Sequence, residues 1–162
     1  AFPVLGELAK DSINIDAYWA DNARIDENLT IEYQPEAAEI EKVRTKCGWK
    51  GLYFGGTAFK KQREVNPEKY QKSAEIASKW MDVVTTSGVA TGEAADKSKI
   101  TVMRSGCGDT AMALASGVTP ENAHEYLTDL DCFLVATGIN FEGNFYNIDP
   151  EKLQRLINTT KT

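Results

Sequence analysis

Small, hydroxyl-bearing and glycine residues follow several apolar runs of the sequence, where they could bind an anion. Ser116-Gly117 and Thr137-Gly138 are the clearest pairs. Glycine lets the backbone approach a phosphate, whose oxygens accept hydrogen bonds from N–H groups. A helix predicted to open at Pro120 would place its positive dipole end nearby. The competing interpretation is that these glycines are ordinary turn residues. We predict that the four residues bind phosphate.

Three charged residues near the same runs could carry acid–base or electrostatic chemistry. Asp21 could act as a general base, or form a surface ion pair with Arg24. Lys60 could neutralise an anionic substrate or, if desolvated, form a Schiff base; its alternative is a solvated loop charge. Glu93 follows a Thr-Gly pair that could be a second backbone cradle, or simply a loop before the next helix. Asp21, Lys60 and Glu93 are therefore the candidate catalytic residues.

Further ligand contacts are predicted at the end of the third apolar run and in the loops that follow the first and third runs. These candidates are Asn22, Thr86, Ser87, Thr91 and Gly92.

The sequence contains no metal-binding pattern and implies no cofactor. His124 is the one histidine, so multi-histidine sites and a Ser-His-Asp triad are disfavoured. The three cysteines form no CxxC pair, and their odd count disfavours a disulfide framework. Reduced thiols are typical of an intracellular protein, in the cytoplasm or an organellar matrix.

Composition excludes several classes of protein. The chain has 162 residues, 42% hydrophobic and 26% charged, with a net charge of −6. These values are typical of a globular domain and disfavour disorder. The acidic balance argues against nucleic-acid binding, which needs a basic surface. No apolar run is long enough to cross a bilayer. Because the chain starts with Ala1 instead of Met, we expect processing or a fragment.

Apolar runs alternate with helical patterns along the chain. The runs predict strands at 13–20, 51–58, 81–87, 111–116 and 132–137, and the patterns between them predict helices at 35–47, 67–80, 96–106, 120–128 and 150–160. Pro35, Pro67, Pro120 and Pro150 each stand at a predicted helix start. The alternation indicates a mostly parallel sheet, either doubly wound or part of a (β/α)8 barrel, because a full barrel needs about 250 residues.

From about residue 16 onward the sequence resembles the BtpA/SgcQ family. The resemblance rests on ADNARIDE at 20–27, GLYFGGTAFK at 51–60, DVVTTSGVATGEAAD at 82–96, ALASGVTPEN at 113–122 and the segment 131–157. It implies a (β/α)8 TIM barrel of the phosphate-binding type, with this chain covering about five strand–helix units. Residues 1–162 would then be a single α/β domain, the C-terminal part of such a barrel.

The resemblance leaves two functions open. One is a barrel that binds a small phosphorylated or sugar-derived ligand at the C-terminal ends of its strands, with an undefined reaction. The other is a non-catalytic assembly factor or architectural subunit of the membrane-complex-biogenesis type. A partial barrel exposes parallel strand edges, which natural proteins avoid. We therefore expect a truncated chain, a homo-oligomer or a complex that covers the open side.

Overall fold

The computed structural model describes residues 1–90 and 92–161. Within these residues, five α-helices alternate with five β-strands. The helices are α1 (Phe2–Lys10), α2 (Pro35–Cys47), α3 (Tyr70–Ala77), α4 (Lys97–Cys107) and α5 (Pro150–Thr160). The strands are β1 (Ala17–Ala20), β2 (Leu52–Gly56), β3 (Val83–Thr86), β4 (Ala111–Ala115) and β5 (Cys132–Leu134).

The strands form one parallel sheet in the order β1-β2-β3-β4-β5. Each strand pairs with the next one in the chain, without the reversal of strand order that defines a doubly wound sheet. The sheet is therefore a partial (β/α) barrel of five strands, which confirms the predicted fold and excludes the doubly wound alternative.

Successive side chains of a strand point to opposite faces of the sheet. The outer face packs against the helices, and the inner face is the one that a barrel encloses. Inner-face positions, followed through the register of the four strand pairs, are Ala17, Trp19, Leu52, Phe54, Gly56, Val83, Thr85, Ala111, Ala113, Ala115, Cys132 and Leu134.

The core lies between the outer face and the helices. Tyr53, Val84, Met112 and Leu114 supply the strand side of this core and are each at most 2% exposed. Helices α3 and α4 cover the centre of the face with residues such as Ile76. Burial of these apolar side chains is the main force that holds the helical layer on the sheet.

Local signals position several helices as predicted. Pro35 and Pro150 are the first residues of α2 and α5. Proline suits this position because the backbone N–H that it lacks would have no acceptor within the helix. The Asp149 carboxylate caps α5 by accepting from the N–H groups of Glu151 and Lys152. Asn66 caps a 3₁₀ turn at Pro67–Lys69 that leads into α3. The predicted bounds of α2 and α5 are confirmed, and those of α4 hold to within one residue.

One predicted helix does not form, and one observed helix was not predicted. The predicted helix 120–128 is replaced by one 3₁₀ turn at Ala123–Glu125. Thr119 and Asn122 bond nearby backbone groups there, which competes with helix formation. Conversely, α1 was not predicted. It packs on α2 and places Phe2 5.2 Å from Tyr53, ring centroid to ring centroid.

Among the described residues, no helix is long and apolar enough to cross a membrane.

Candidate functional site

The C-terminal ends of β4 and β5 border a cavity of about 430 Å³. All four predicted phosphate-binding residues line it together with one predicted catalytic residue: Ser116, Gly117, Thr137, Gly138 and Lys60. Its remaining walls are apolar and come from Trp19, Val118, Phe133, Leu134, Val135 and Ala136. The cavity therefore combines a polar end with an apolar wall, the usual composition of a small-molecule site.

The turn after β4 has a strained backbone. Ser116 has φ +81°, a conformation that side-chain-bearing residues seldom adopt, and Gly117 follows with φ +79°. A Cβ on Gly117 would lie 2.0 Å from the carbonyl oxygen of Glu93. Only glycine fits here, because a side chain would collide with the neighbouring loop. Strain of this kind is often found at ligand sites.

Asn122 fixes the same turn, and sequence reasoning missed it. Its amide nitrogen donates to the Gly117 carbonyl at 2.8 Å, and its Oδ1 accepts from the Thr119 N–H at 2.8 Å. These two bonds hold both sides of the turn in one conformation. The predicted helix dipole at Pro120 plays no part, because that helix does not form.

The turn after β5 packs closely against the turn after β4. A Cβ on Gly138 would lie 1.9 Å from the Val118 carbonyl oxygen, so this position also needs glycine. Thr137 and Gly138 begin a 3₁₀ turn, Thr137–Ile139. Among the described residues, the N–H groups of Gly117, Thr137 and Gly138 donate to no acceptor. Three backbone donors therefore belong to residues that line one cavity.

Lys60 brings positive charge to this cavity. Its ammonium donates to the Ser116 hydroxyl oxygen at 2.8 Å, and its backbone N–H donates to Ser87 Oγ at 2.9 Å. Burial lowers the pKa of Lys60, the neighbouring Lys61 lowers it further, and Asp21 partly offsets both. The lysine is thus held against the strained turn after β4.

The other two predicted catalytic residues lie near the cavity without lining it. Asp21 has an exposed side chain and is close enough to influence the Lys60 ammonium. Glu93 is also exposed, and its backbone carbonyl packs against Gly117. The structure thus places both residues at the rim of the site, and their catalytic roles stay predictions.

Four of the five further ligand-binding candidates, Asn22, Thr86, Ser87 and Gly92, do not line this cavity. Asn22 lines a separate cavity of about 210 Å³ beside Arg63. Thr86 and Ser87 are fully buried; their hydroxyls donate to the Ala58 and Gly88 carbonyls. Gly92 has φ +83° and an open surrounding, and Thr91 lies outside the described residues. Thr86 and Ser87 therefore support the loops, and direct ligand contact by these residues stays a prediction.

Trp19 and Lys99 are two more residues that the sequence did not assign to the site. Trp19 is 41% exposed on the inner face and lines the cavity. Lys99 extends from α4 to the strand ends, where burial lowers its pKa to about 8. A lysine on a polar helix carries no sequence signal for such a contact, because its partners are distant in the chain.

No group of three or more His, Cys, Asp or Glu residues in the described part of the chain could hold a metal ion.

Comparison with known proteins relates this geometry to a family and a fold. The BtpA family model matches residues 34–162. The structure is similar to N-(5'-phosphoribosyl)anthranilate isomerase from Pyrococcus furiosus, with a TM-score of 0.56 and 14% identity, covering 99% of this chain and 80% of that one. It is also similar to the phosphoribosylanthranilate isomerase of Thermotoga maritima, with a TM-score of 0.52, 11% identity and coverage of 99% and 79%. No curated protein matches significantly. These low identities show the fold alone.

Proposed function

Since the chain belongs to the BtpA family, we propose that its partial barrel binds a small phosphorylated or sugar-derived ligand at the ends of β4 and β5. One observation carries the proposal: the Lys60 ammonium and the turns at 116–117 and 137–138 border the same cavity. The phosphate-binding barrel implied by the family resemblance supports the same ligand class. The isomerases with a similar fold are named for a phosphoribosyl compound, which is a ligand of that class.

The phosphate group of the ligand would lie between the two turns. The N–H groups of Gly117, Thr137 and Gly138 offer hydrogen bonds, and the Lys60 ammonium offers a charge-assisted one. Lys60 already donates to Ser116, so its ammonium points to the end of the cavity where the two turns meet. In a chain with a net charge of −6, this local positive charge would favour an anion at this position.

The rest of the ligand would lie along the apolar wall. Trp19 offers an aromatic surface there, 6.0 Å from the Phe59 ring between ring centroids. Sugar rings pack well on aromatic side chains because the C–H edges of the ring are apolar. Asp21 and Glu93 at the rim would then supply acid–base groups, for a reaction whose type stays open.

Calorimetric titration tests this proposal with three probes: inorganic phosphate, a phosphorylated ribose and free ribose. We expect both phosphates to bind and free ribose to bind far more weakly. Lys60→Met should reduce the affinity for phosphate by about tenfold, because a charge-assisted hydrogen bond is lost. Lys61→Met is the matched control, since Lys61 is the exposed neighbour that does not line the cavity. Equal affinities of both variants would contradict the proposal.

The inner face favours a second candidate function, an architectural or assembly role. Leu52 is 51% exposed and Trp19 41% exposed on this face, and β1 and β5 each have one unpaired edge within the described sheet. Such apolar surface is typical of a face that a partner covers. Sedimentation of the purified protein tests this role. A stable oligomer that Leu52→Glu dissociates, together with an absence of phosphate binding, would favour it over the ligand-binding barrel.

A further inference from the structure

Lys99 lies where the ends of β2 and β3 meet the turn that carries Lys60. Its ammonium donates to the Ala58 carbonyl at 2.6 Å and to the Ser87 carbonyl at 2.8 Å. The Nζ atom also lies 5.3 Å from the centroid of the Tyr70 ring. Lys99 belongs to α4, so a helix of the outer layer is tied to two loops at the top of the sheet.

These contacts use two of the three N–H donors of Lys99. An ammonium has three N–H bonds. Two of them point to carbonyl oxygens, and the charge faces an aromatic ring. Lys99 is absent from the lining of the cavity at β4 and β5. Both of its hydrogen bonds go to backbone carbonyls, as expected of a residue that holds the backbone in place.

The turn that Lys99 holds is strained. Ala58 has φ +47° and Lys61 φ +58°, so two side-chain-bearing residues in left-handed conformations flank Lys60. Such conformations persist only where surrounding contacts impose them. The Ala58 carbonyl accepts from both Lys99 and Thr86 Oγ1, and the Lys60 N–H donates to Ser87 Oγ. Lys99 thus supports the turn through two carbonyl groups, that of Ala58 in the turn and that of Ser87 beside it.

We propose that Lys99 is a positioning residue for Lys60. By binding the Ala58 and Ser87 carbonyls, it fixes the strained turn so that the Lys60 ammonium reaches Ser116. Only its effect on ligand affinity rests on the proposed function. Its effect on Lys60 itself is independent of any ligand.

The test compares Lys99→Met with Lys97→Met, an exposed lysine at the start of the same helix. Brief acetylation with acetic anhydride, read by mass spectrometry, reports how freely Lys60 reacts relative to exposed Lys42. We expect Lys60 to react about tenfold faster in Lys99→Met, the factor that loss of one hydrogen bond corresponds to. Hydrogen exchange of residues 58–61 should accelerate in parallel. Lys97→Met should leave both quantities unchanged.

Titration with inorganic phosphate gives the second readout. Lys99→Met should weaken binding, and Lys99→Arg should restore part of it, because the guanidinium can donate to both carbonyls. Faster Lys60 acetylation in a protein that binds no phosphate would retain the positioning role and overturn the proposed function. Unchanged acetylation and exchange in folded Lys99→Met would overturn the positioning role. If that variant does not fold, Lys99→Gln replaces it, because the shorter amide stays polar but cannot donate to both carbonyls. An unchanged Lys60 rate in folded Lys99→Gln overturns the role.

Discussion

Tyr53 and Phe54 are neighbours in β2, yet their side chains face two different environments. Tyr53 is 2% exposed and packs under α1 and α2, whereas Phe54 is only half-buried on the inner face. The same alternation runs through the sheet: the chain's own helices cover the outer face, while the inner face is buried at its centre and open at its borders. The cavity at β4 and β5 lies at one of those borders. Stability should therefore depend mainly on the outer face, and ligand recognition on the inner one.

The largest expected difference between the two faces is in the free energy of unfolding that is lost when a side chain is truncated. Leu114→Ala removes a fully buried outer-face side chain and should lower the free energy of unfolding by about 2–5 kcal/mol. Leu52→Ala truncates an inner-face side chain that is 51% exposed, so its effect should stay below about 1 kcal/mol. Urea denaturation measures both. A loss from Leu52→Ala as large as that from Leu114→Ala would show that a partner covers the inner face in solution.

The next effect concerns Lys99, which connects the outer layer to the site. Burial lowers its pKa from 10.5 to about 8, so the unfolded chain binds more protons between these two values. Stability should therefore rise with pH across that interval, by about 3 kcal/mol in total. Lys99→Met should abolish this contribution. The measurement is the free energy of unfolding of both proteins at several pH values from 8 to 10.5.

Other buried groups make stability fall as pH rises. The informative quantity is therefore the difference in the free energy of unfolding between wild type and Lys99→Met. Burial raises the pKa of the Cys107 thiol to about 11 and that of Tyr53 to about 12. The folded state then binds more protons than the unfolded state, and stability falls as pH rises through the ordinary pKa values of these groups. A difference between wild type and Lys99→Met that stays constant with pH would show that Lys99 is not desolvated in solution.

The smallest expected effect is the change in stability when either of two adjacent threonines of β3 is replaced by valine. Thr85 points to the inner face and Thr86 to the outer face, and both are fully buried. Thr85 Oγ1 has no hydrogen-bond partner among the described residues, whereas Thr86 Oγ1 donates to the Ala58 carbonyl at 3.1 Å. Thr86→Val should destabilise by about 1 kcal/mol, and Thr85→Val should be neutral or stabilising by a similar amount. Thermal denaturation of both variants measures the direction of each stability change. A loss from Thr85→Val would show that its hydroxyl binds something on the inner face.

Most of the fold could be predicted because its signals are local. Pro35 and Pro150 mark helix starts through their own covalent geometry, and the apolar run 132–137 marks by its composition the strand that is observed at Cys132–Leu134. The predicted helix after Pro120 failed because proline marks a turn as readily as a helix. There the side chain of Asn122 bonds the backbone of its own turn, so the residues complete a loop.

The candidate site was predictable only in part. Gly117 and Gly138 are visible in the sequence because their chemistry is local, although the carbonyls that require them come from other loops. The contacts of Lys99 could not be predicted, since Ala58 is 41 positions away along the chain. The exposure of Trp19 was equally hidden, because the sequence does not show which face of the sheet remains open.

The strand order has a consequence for how the molecule opens. Because each strand pairs only with its neighbours along the chain, cooperativity is transmitted step by step, as in repeat proteins. Within the described sheet, β3 is supported on both sides, whereas β5 is supported by β4 alone. Local unfolding should therefore begin at a border strand, and the turns around Gly117 and Gly138 lie beside one. A ligand bound between those turns would connect the ends of β4 and β5 and so stabilise the border of the sheet that unfolds most easily.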